Sequence, residues 1–346
     1  MNMQTRLRTL HCSQTLHQSQ SLALRHLVAL FALLIAPFIS RAQDSQTPRN
    51  VSSNEYTLRV NANMVILSAT VLDHHSTPVS GLDKGDFQVY EDRKLQKILQ
   101  FSHDDIPVTA GILVDNSGSM APKRADVIAA AMAFARSSNP QDQMFVVNFN
   151  DSVSYGLPPG ILFTDRQEEL QWALSRIRTV GQTSLYDGIV AALDHLRLGT
   201  HEKKVLILIS DGDDNVSKHS LAQVLDMTKH NSATIYAIGI FDELDGDQNP
   251  GVLRRLARET GGEAYFPQSS KEVPSICEKI AHDIRSQYTL AYVPTIGTED
   301  GSYRTVEVRA SFHARGHLSV RTRSGYSVPL TLPAATPKGI PHDSHN

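Results

Sequence analysis

The sequence predicts an α/β fold: a doubly wound, mostly parallel, Rossmann-like sheet with helices on both faces, inserted in a smaller all-β domain. Three observations predict it. Between residues 106 and 286, apolar runs of strand length alternate with stretches of helical periodicity. The strongest run, Val205-Leu206-Ile207-Leu208-Ile209, is apolar without interruption, as a strand covered on both faces should be. On either side lie strand-like, helix-free segments, each thin for a core of its own.

Taken in order, residues 1–42 read as a signal peptide. Arg6, Arg8 and Arg25 precede an apolar core of about 13 residues, and Ser40-Arg41-Ala42 places small residues before a cleavage near Ala42. That core is short for a spanning helix, which needs roughly 20 residues. The expected location is therefore extracytoplasmic: secreted, periplasmic or envelope-associated, with a membrane attachment only if the signal stays uncleaved. Residues 43–54 are polar, contain Pro48 and read as a linker.

Strands are expected at 56–60, 64–72, 87–90 and 97–101, with a turn at Glu91-Asp92-Arg93. These make residues 55–105 the N-terminal part of the β-domain. The α/β segment 106–286 follows, with strands at 108–114, 144–149, 204–210, 234–240 and 264–266. Its helices are expected near 121–137, 166–177, 184–198, 220–230, 251–259 and 271–285. Strand character returns at 288–293, 303–311 and 318–323, so 287–328 is the C-terminal part of the β-domain. The alternative is two small sheets packed separately on the α/β body. Residues 329–346 read as a disordered tail.

Composition narrows the function classes. The 346 residues are 40% hydrophobic and 20% charged, enough for one or two packed cores. Beyond residue 42 there are 29 Lys and Arg against 36 Asp and Glu, a mildly acidic balance that argues against non-specific nucleic-acid binding. Cys277 is the one cysteine after residue 42, so no intramolecular disulfide is expected there.

The residues that carry chemistry sit where strands end. Val114-Asp115-Asn116-Ser117-Gly118-Ser119-Met120 joins a buried strand to a helix, the place where open α/β sheets bind ligands. Asp115, Ser117 and Ser119 alternate along this loop, so their oxygens face one spot, which suits a hard cation such as Mg²⁺. An ordinary helix N-cap also accounts for that triplet alone. Two further loops shift the balance: Gly181-Gln182-Thr183-Ser184 before a helix, and Ser210-Asp211-Gly212 after the strongest strand.

On these three loops, residues 106–286 resemble a von Willebrand factor type A domain with its metal-ion-dependent adhesion site. The resemblance assigns the metal residues Asp115, Ser117, Ser119, Thr183 and Asp211, with Mg²⁺, or Mn²⁺ or Ca²⁺, as the ion. It implies direct bonds from Ser117 and Ser119, exchange between direct and water-mediated contact at Thr183 and Asp211, and a water-mediated role for Asp115. Gln182 stands where a second glycine is frequent. Phe87-Gln88-Val89-Tyr90-Glu91-Asp92 and Arg285-Ser286-Gln287-Tyr288-Thr289-Leu290-Ala291-Tyr292 resemble a bacterial exported subgroup of this type. The implied partner is a protein offering Asp or Glu to the metal, with neither nucleic acid nor a small-molecule substrate expected.

No catalytic site is expected. The chain has no G-x-S-x-G elbow, H-E-x-x-H pair or Walker-type loop. His313 and His317 read as surface residues rather than a zinc face, and Cys277 as a buried structural thiol beside Ile276 and Ile280. Trp172 is expected in the core, and Asp213 and Asp214 as turn residues. Residues 242–249 are acidic but fail the EF-hand spacing and read as a solvated loop. Three functions remain in view: a cation-dependent protein-binding module, a structural envelope component whose metal only braces loops, and a metal-dependent hydrolase.

Overall fold

The structure, a computed structural model, describes residues 64–241, 248–295, 301–311 and 318–328. The signal, linker, first expected strand, most of the acidic loop at 242–249, His313, His317 and the C-terminal tail lie outside the described residues.

A six-stranded sheet forms the centre. Its strands are β5 (Val108–Asp115), β6 (Gln143–Phe149), β7 (Val153–Tyr155), β8 (Lys203–Ser210), β9 (Thr234–Gly239) and β10 (Ala264–Tyr265), in the order β10-β9-β8-β5-β6-β7. All pairings are parallel except that of β7 with β6. Every residue of β5 and β9 is buried, which explains why these strands read as continuous apolar runs. Strand β7 escaped the sequence reading because three residues, two half-buried and one exposed, carry too short a pattern.

Helices α1 (Arg124–Ser137), α2 (Gln167–Ser175) and α6 (Val273–Arg285) pack as one group. Helices α3 (Leu185–Leu196), α4 (Leu221–His230) and α5 (Pro250–Thr260) pack as the other. The chain reverses its winding direction between β5 and β8, so the crevice at their carboxyl ends is the topological switch point.

The structure corrects the placement of Trp172. Leu170, Ala173 and Leu174 form the buried stripe of α2, which turns Trp172 outward. It is 47% exposed, with the Arg176 guanidinium 4.8 Å from its ring centre. Cys277 on α6 is buried, and burial pushes its thiol up to about 12.

Two four-stranded sheets make up the smaller β unit. One has the order β13-β1-β11-β4, from Ser319–Arg321, Val65–Leu72, Tyr288–Tyr292 and Ile98–Ser102. The other has the order β14-β12-β2-β3, from Gly325–Ser327, Tyr303–Ala310, Phe87–Glu91 and Lys94–Gln96. Each sheet mixes strands from before and after the α/β segment, and both contribute to one apolar core around Leu67, Val89, Tyr288 and Val308. Strand β12 alternates buried and exposed residues, as a sheet with one wet face requires.

Two details differ from expectation here. A single-turn 3-10 helix, Lys84–Asp86, precedes β2 in a segment read as helix-free. The strand expected at 97–101 is present as β4, and a further short strand that was not expected, β3, lies just before it and pairs with β2 in the other sheet. The hairpin between β2 and β3 turns on Asp92 and Arg93, both with positive φ (46° and 66°) as a two-residue primed turn needs. Asp92 Oδ1 accepts the Thr305 N–H at 2.9 Å and its hydroxyl at 3.0 Å, which holds a non-glycine residue in that conformation.

Candidate metal centre

Strand β5 ends at Asp115, and the chain then enters a 3-10 turn, Gly118–Lys123, that leads into α1. Asp115 is the clamp of this junction. Its Oδ1 accepts the Ser117 N–H at 2.9 Å, and its Oδ2 accepts the Ser210 hydroxyl from the end of β8 at 2.7 Å. The Ser117 and Ser119 hydroxyls stand 3.1 Å apart, and Ser119 donates to Asp211 Oδ2 at 2.7 Å. Four residues read from the sequence as metal residues therefore form one hydrogen-bonded chain across the switch point.

The third loop is tied to the first through backbone. Gly118 donates its N–H to Gly181 O at 2.9 Å, and Val180 donates to Asn116 O at 2.9 Å. Thr183 is 3% exposed; its N–H donates to Asn215 Oδ1 at 2.8 Å and its carbonyl accepts the Asn215 N–H at 3.0 Å. Its hydroxyl makes no hydrogen bond with any described residue. The adjacent Ser184 Oγ is buried without a partner among the described residues. Native folds seldom leave buried hydroxyls unused.

Electrostatics define what the site lacks. Asp115 and Asp211 are 2% and 3% exposed, and neither has an ion-pair partner among the described residues. Burial first, and the charge of Asp211 second, push the Asp115 carboxyl up to about 6. Two buried carboxylates without a counter-charge are costly, and a cation removes that cost. Among the described residues no three His, Cys, Asp or Glu gather as metal ligands, so the donor set is two carboxylates with neutral hydroxyls. An all-oxygen set of this kind fits a hard divalent cation.

Several supporting residues were not found from the sequence. Arg124, in the first turn of α1, donates to Asn116 Oδ1 at 2.7 Å, Thr179 Oγ1 at 2.6 Å and Ser175 O at 2.9 Å. It thereby binds the Asp115 loop to the segment approaching Thr183. Asp151 Oδ1 accepts the Gln182 N–H at 2.9 Å, while the Gln182 side chain stays exposed. Asp214 accepts the Tyr186 N–H at 3.0 Å and the Ser217 hydroxyl at 2.5 Å, in line with a turn residue. No local pattern marks Arg124 or Ser210, because their roles depend on partners that only folding brings near.

The Asp211 loop also depends on Gly212. Its φ is +82°, and a Cβ there would lie 2.6 Å from the Asn249 carbonyl oxygen. Gly212→Ala is expected to destabilise the fold by about 2 kcal/mol or more through left-handed strain and this collision. Urea denaturation of the purified variant measures the loss.

Comparison with known proteins follows from this geometry. The family model for the von Willebrand factor type A domain matches residues 111–279. Among curated relatives, inter-alpha-trypsin inhibitor heavy chain H2 of Sus scrofa is 22% identical over 212 residues, covering 58% of this chain and 22% of that protein. The Homo sapiens protein of the same name is 23% identical over 193 residues, covering 52% of this chain and 20% of its own. The match thus spans about a fifth of the length of these relatives. Among solved structures, von Willebrand factor type A from Catenulispora acidiphila has a TM-score of 0.47 at 14% identity, covering 79% of this chain and 75% of that one. Proximal thread matrix protein 1 from the mussel byssus with zinc occupied MIDAS motif has a TM-score of 0.43 at 17% identity, covering 52% and 48%.

Proposed function

We propose, for a chain whose α/β unit carries the von Willebrand factor type A fold, an extracytoplasmic binding protein without enzymatic activity. It holds Mg²⁺, with Mn²⁺ or Ca²⁺ as alternatives, on Asp115, Ser117, Ser119, Thr183 and Asp211. Its ligand is a partner protein that presents an Asp or Glu carboxylate. The observation that carries this reading is the charge imbalance at the switch point: two carboxylates, 2% and 3% exposed, with no cationic side chain paired to them among the described residues.

A bound divalent cation would supply a positively charged, oxygen-seeking position there. The chain's own residues hold and orient. Asp115 fixes the spacing of the β5 and β8 ends through Ser117 and Ser210. Ser119 positions the Asp211 carboxylate, and Arg124 keeps the first and third loops together. Three of the five donors are neutral hydroxyls, so the protein's charge at the cation would come from the two carboxylates alone, and a water-held position would be left for an incoming carboxylate.

The hydrolase alternative receives less support. Ser117 bonds to Ser119 and Ser119 to Asp211, and no described imidazole reaches their hydroxyls as a general base. The export reading rests on residues 1–42, and no helix among the described residues is long and apolar enough to cross a membrane. Calorimetric titration of the purified chain with Mg²⁺ and with Mn²⁺ is expected to show one saturable site. A pull-down from envelope extract should retain a partner with Mg²⁺ and release it with chelator. Absence of any cation binding removes the reading, and a partner retained equally in chelator leaves the metal as a loop brace.

A further inference from the structure

At the opposite edge of the central sheet, where β8 and β9 begin, strands β1, β11 and β14 of the β unit face the α/β unit across a cavity of about 570 Å³. We propose that this cavity binds a sugar-sized anion, a hydroxyl-rich molecule bearing a carboxylate or phosphate group. The site is separate from the candidate metal centre and does not depend on it.

Charge makes the case first. Lys203, Lys204, Lys229 and Arg323 line the cavity, against the single carboxylate of Glu202. Glu202 pairs with none of them. The half-buried Arg323 guanidinium donates to two carbonyls, Gly325 O at 2.7 Å and Lys229 O at 3.2 Å, and stands 6.0 Å from the Tyr326 ring centre. Lys203 and Lys204 likewise donate to carbonyls, Ile284 O at 3.3 Å and Gly199 O at 2.7 Å. Lys229 has one carboxylate nearby, its exposed helix neighbour Asp226 at 3.7 Å. Lys203 is 7% exposed, and burial lowers its ammonium to about 8 against the opposing pull of the Asp105, Asp142 and Asp283 carboxylates. Lys204 and Arg323 have no carboxylate partner among the described residues, and an anionic occupant would supply one.

The remaining walls describe the rest of the ligand. Ser68, Ser232, Thr234 and Thr289 also line this cavity, and their hydroxyls bond to no described residue. Val65, Ile66 and Val328 add apolar surface. A space of this size, with scattered donors among apolar walls, matches small-molecule sites rather than a groove for a folded partner. Lysines and an arginine favour carboxylate or phosphate, and free hydroxyls favour a ligand with hydroxyls of its own. Both structural units build the walls, so the cavity arises from the way the α/β segment is set into the β unit.

The test is calorimetry on the purified chain in buffer stripped of divalent cations, with glucose 6-phosphate, glucuronate, inorganic phosphate and glucose as probes. Saturable binding of glucose 6-phosphate or glucuronate is expected, at least tenfold tighter than glucose. Lys229→Gln and Arg323→Gln should each weaken it at least tenfold. Lys203→Met should abolish it while melting at or above the wild-type temperature, which separates lost binding from lost folding. Ser117→Ala with Ser119→Ala should bind these probes as the wild type does. The proposal is overturned if none of the three anions saturates, if glucose binds equally well, or if Lys203→Met and Lys229→Gln keep full affinity. Inorganic phosphate binding as tightly as both sugars overturns the sugar assignment.

Discussion

Replacing Ser117 and Ser119 together by alanine is expected to lower Mg²⁺ affinity at least about 100-fold, at the upper end of what even indirect support of a metal is worth. The two hydroxyls are neutral, and the substitution leaves the Ser117 N–H on Asp115 and the Ser210 hydroxyl on Asp115 in place. The cation-free variant does lose the Ser119 hydroxyl bond to the buried Asp211 carboxylate, so it should be about 1–3 kcal/mol less stable than the wild type. The contrast appears on adding cation. Wild-type chain at 100 times its Kd gains about 2.7 kcal/mol, while the double variant gains almost nothing. Thermal melts of both proteins, with and without Mg²⁺, read all four states. If the double variant keeps the Mg²⁺-dependent gain, the cation sits elsewhere.

Arg321→Met is expected to cost about 3–5 kcal/mol of stability, the scale for breaking a buried ion pair by removing one partner. Arg321, from β13, donates Nη2 to Asp283 of α6 and Nη1 to Glu263 at 2.6 Å. Asp283 is 3% exposed and otherwise accepts the Tyr236 hydroxyl at 2.7 Å. Without the guanidinium, a buried carboxylate remains on the helix that the β unit braces. Adding Asp283→Asn should recover part of the loss, because the uncompensated charge is then gone. Urea denaturation of the two single variants and the double variant reads this coupling. Additive losses would mean that the two groups do not act as a pair.

Both networks bear on what was legible beforehand. Asp115 and Asp211 were found because each follows a run of apolar residues long enough to mark a buried strand, and strand ends at a switch point are where ligands sit. Thr183 was found through its glycine-led loop and the resemblance. Arg124, Ser210 and Asp151 were missed because most of their partners are dozens of residues away, as with the 95-residue separation between Ser210 and Asp115. Trp172 was misplaced because apolar character alone does not say which face of a short helix a residue occupies. The stripe of Leu170, Ala173 and Leu174 decides it.

What the amino-acid sequence determined alone was the local grammar. It set the alternation of strands and helices from 106 to 286, the near-continuous burial of β5, β8 and β9, and the oxygen-bearing residues at the strand ends. Those follow from side-chain periodicity and backbone preference, which act over a few residues. Tertiary structure alone decided that β3 and β4 part into different sheets, that Val65 pairs with Tyr292 across the whole α/β segment, and that four basic residues line one cavity. Sheet neighbours and cavities come from contacts between distant segments, and their free energy depends on packing that no local pattern encodes.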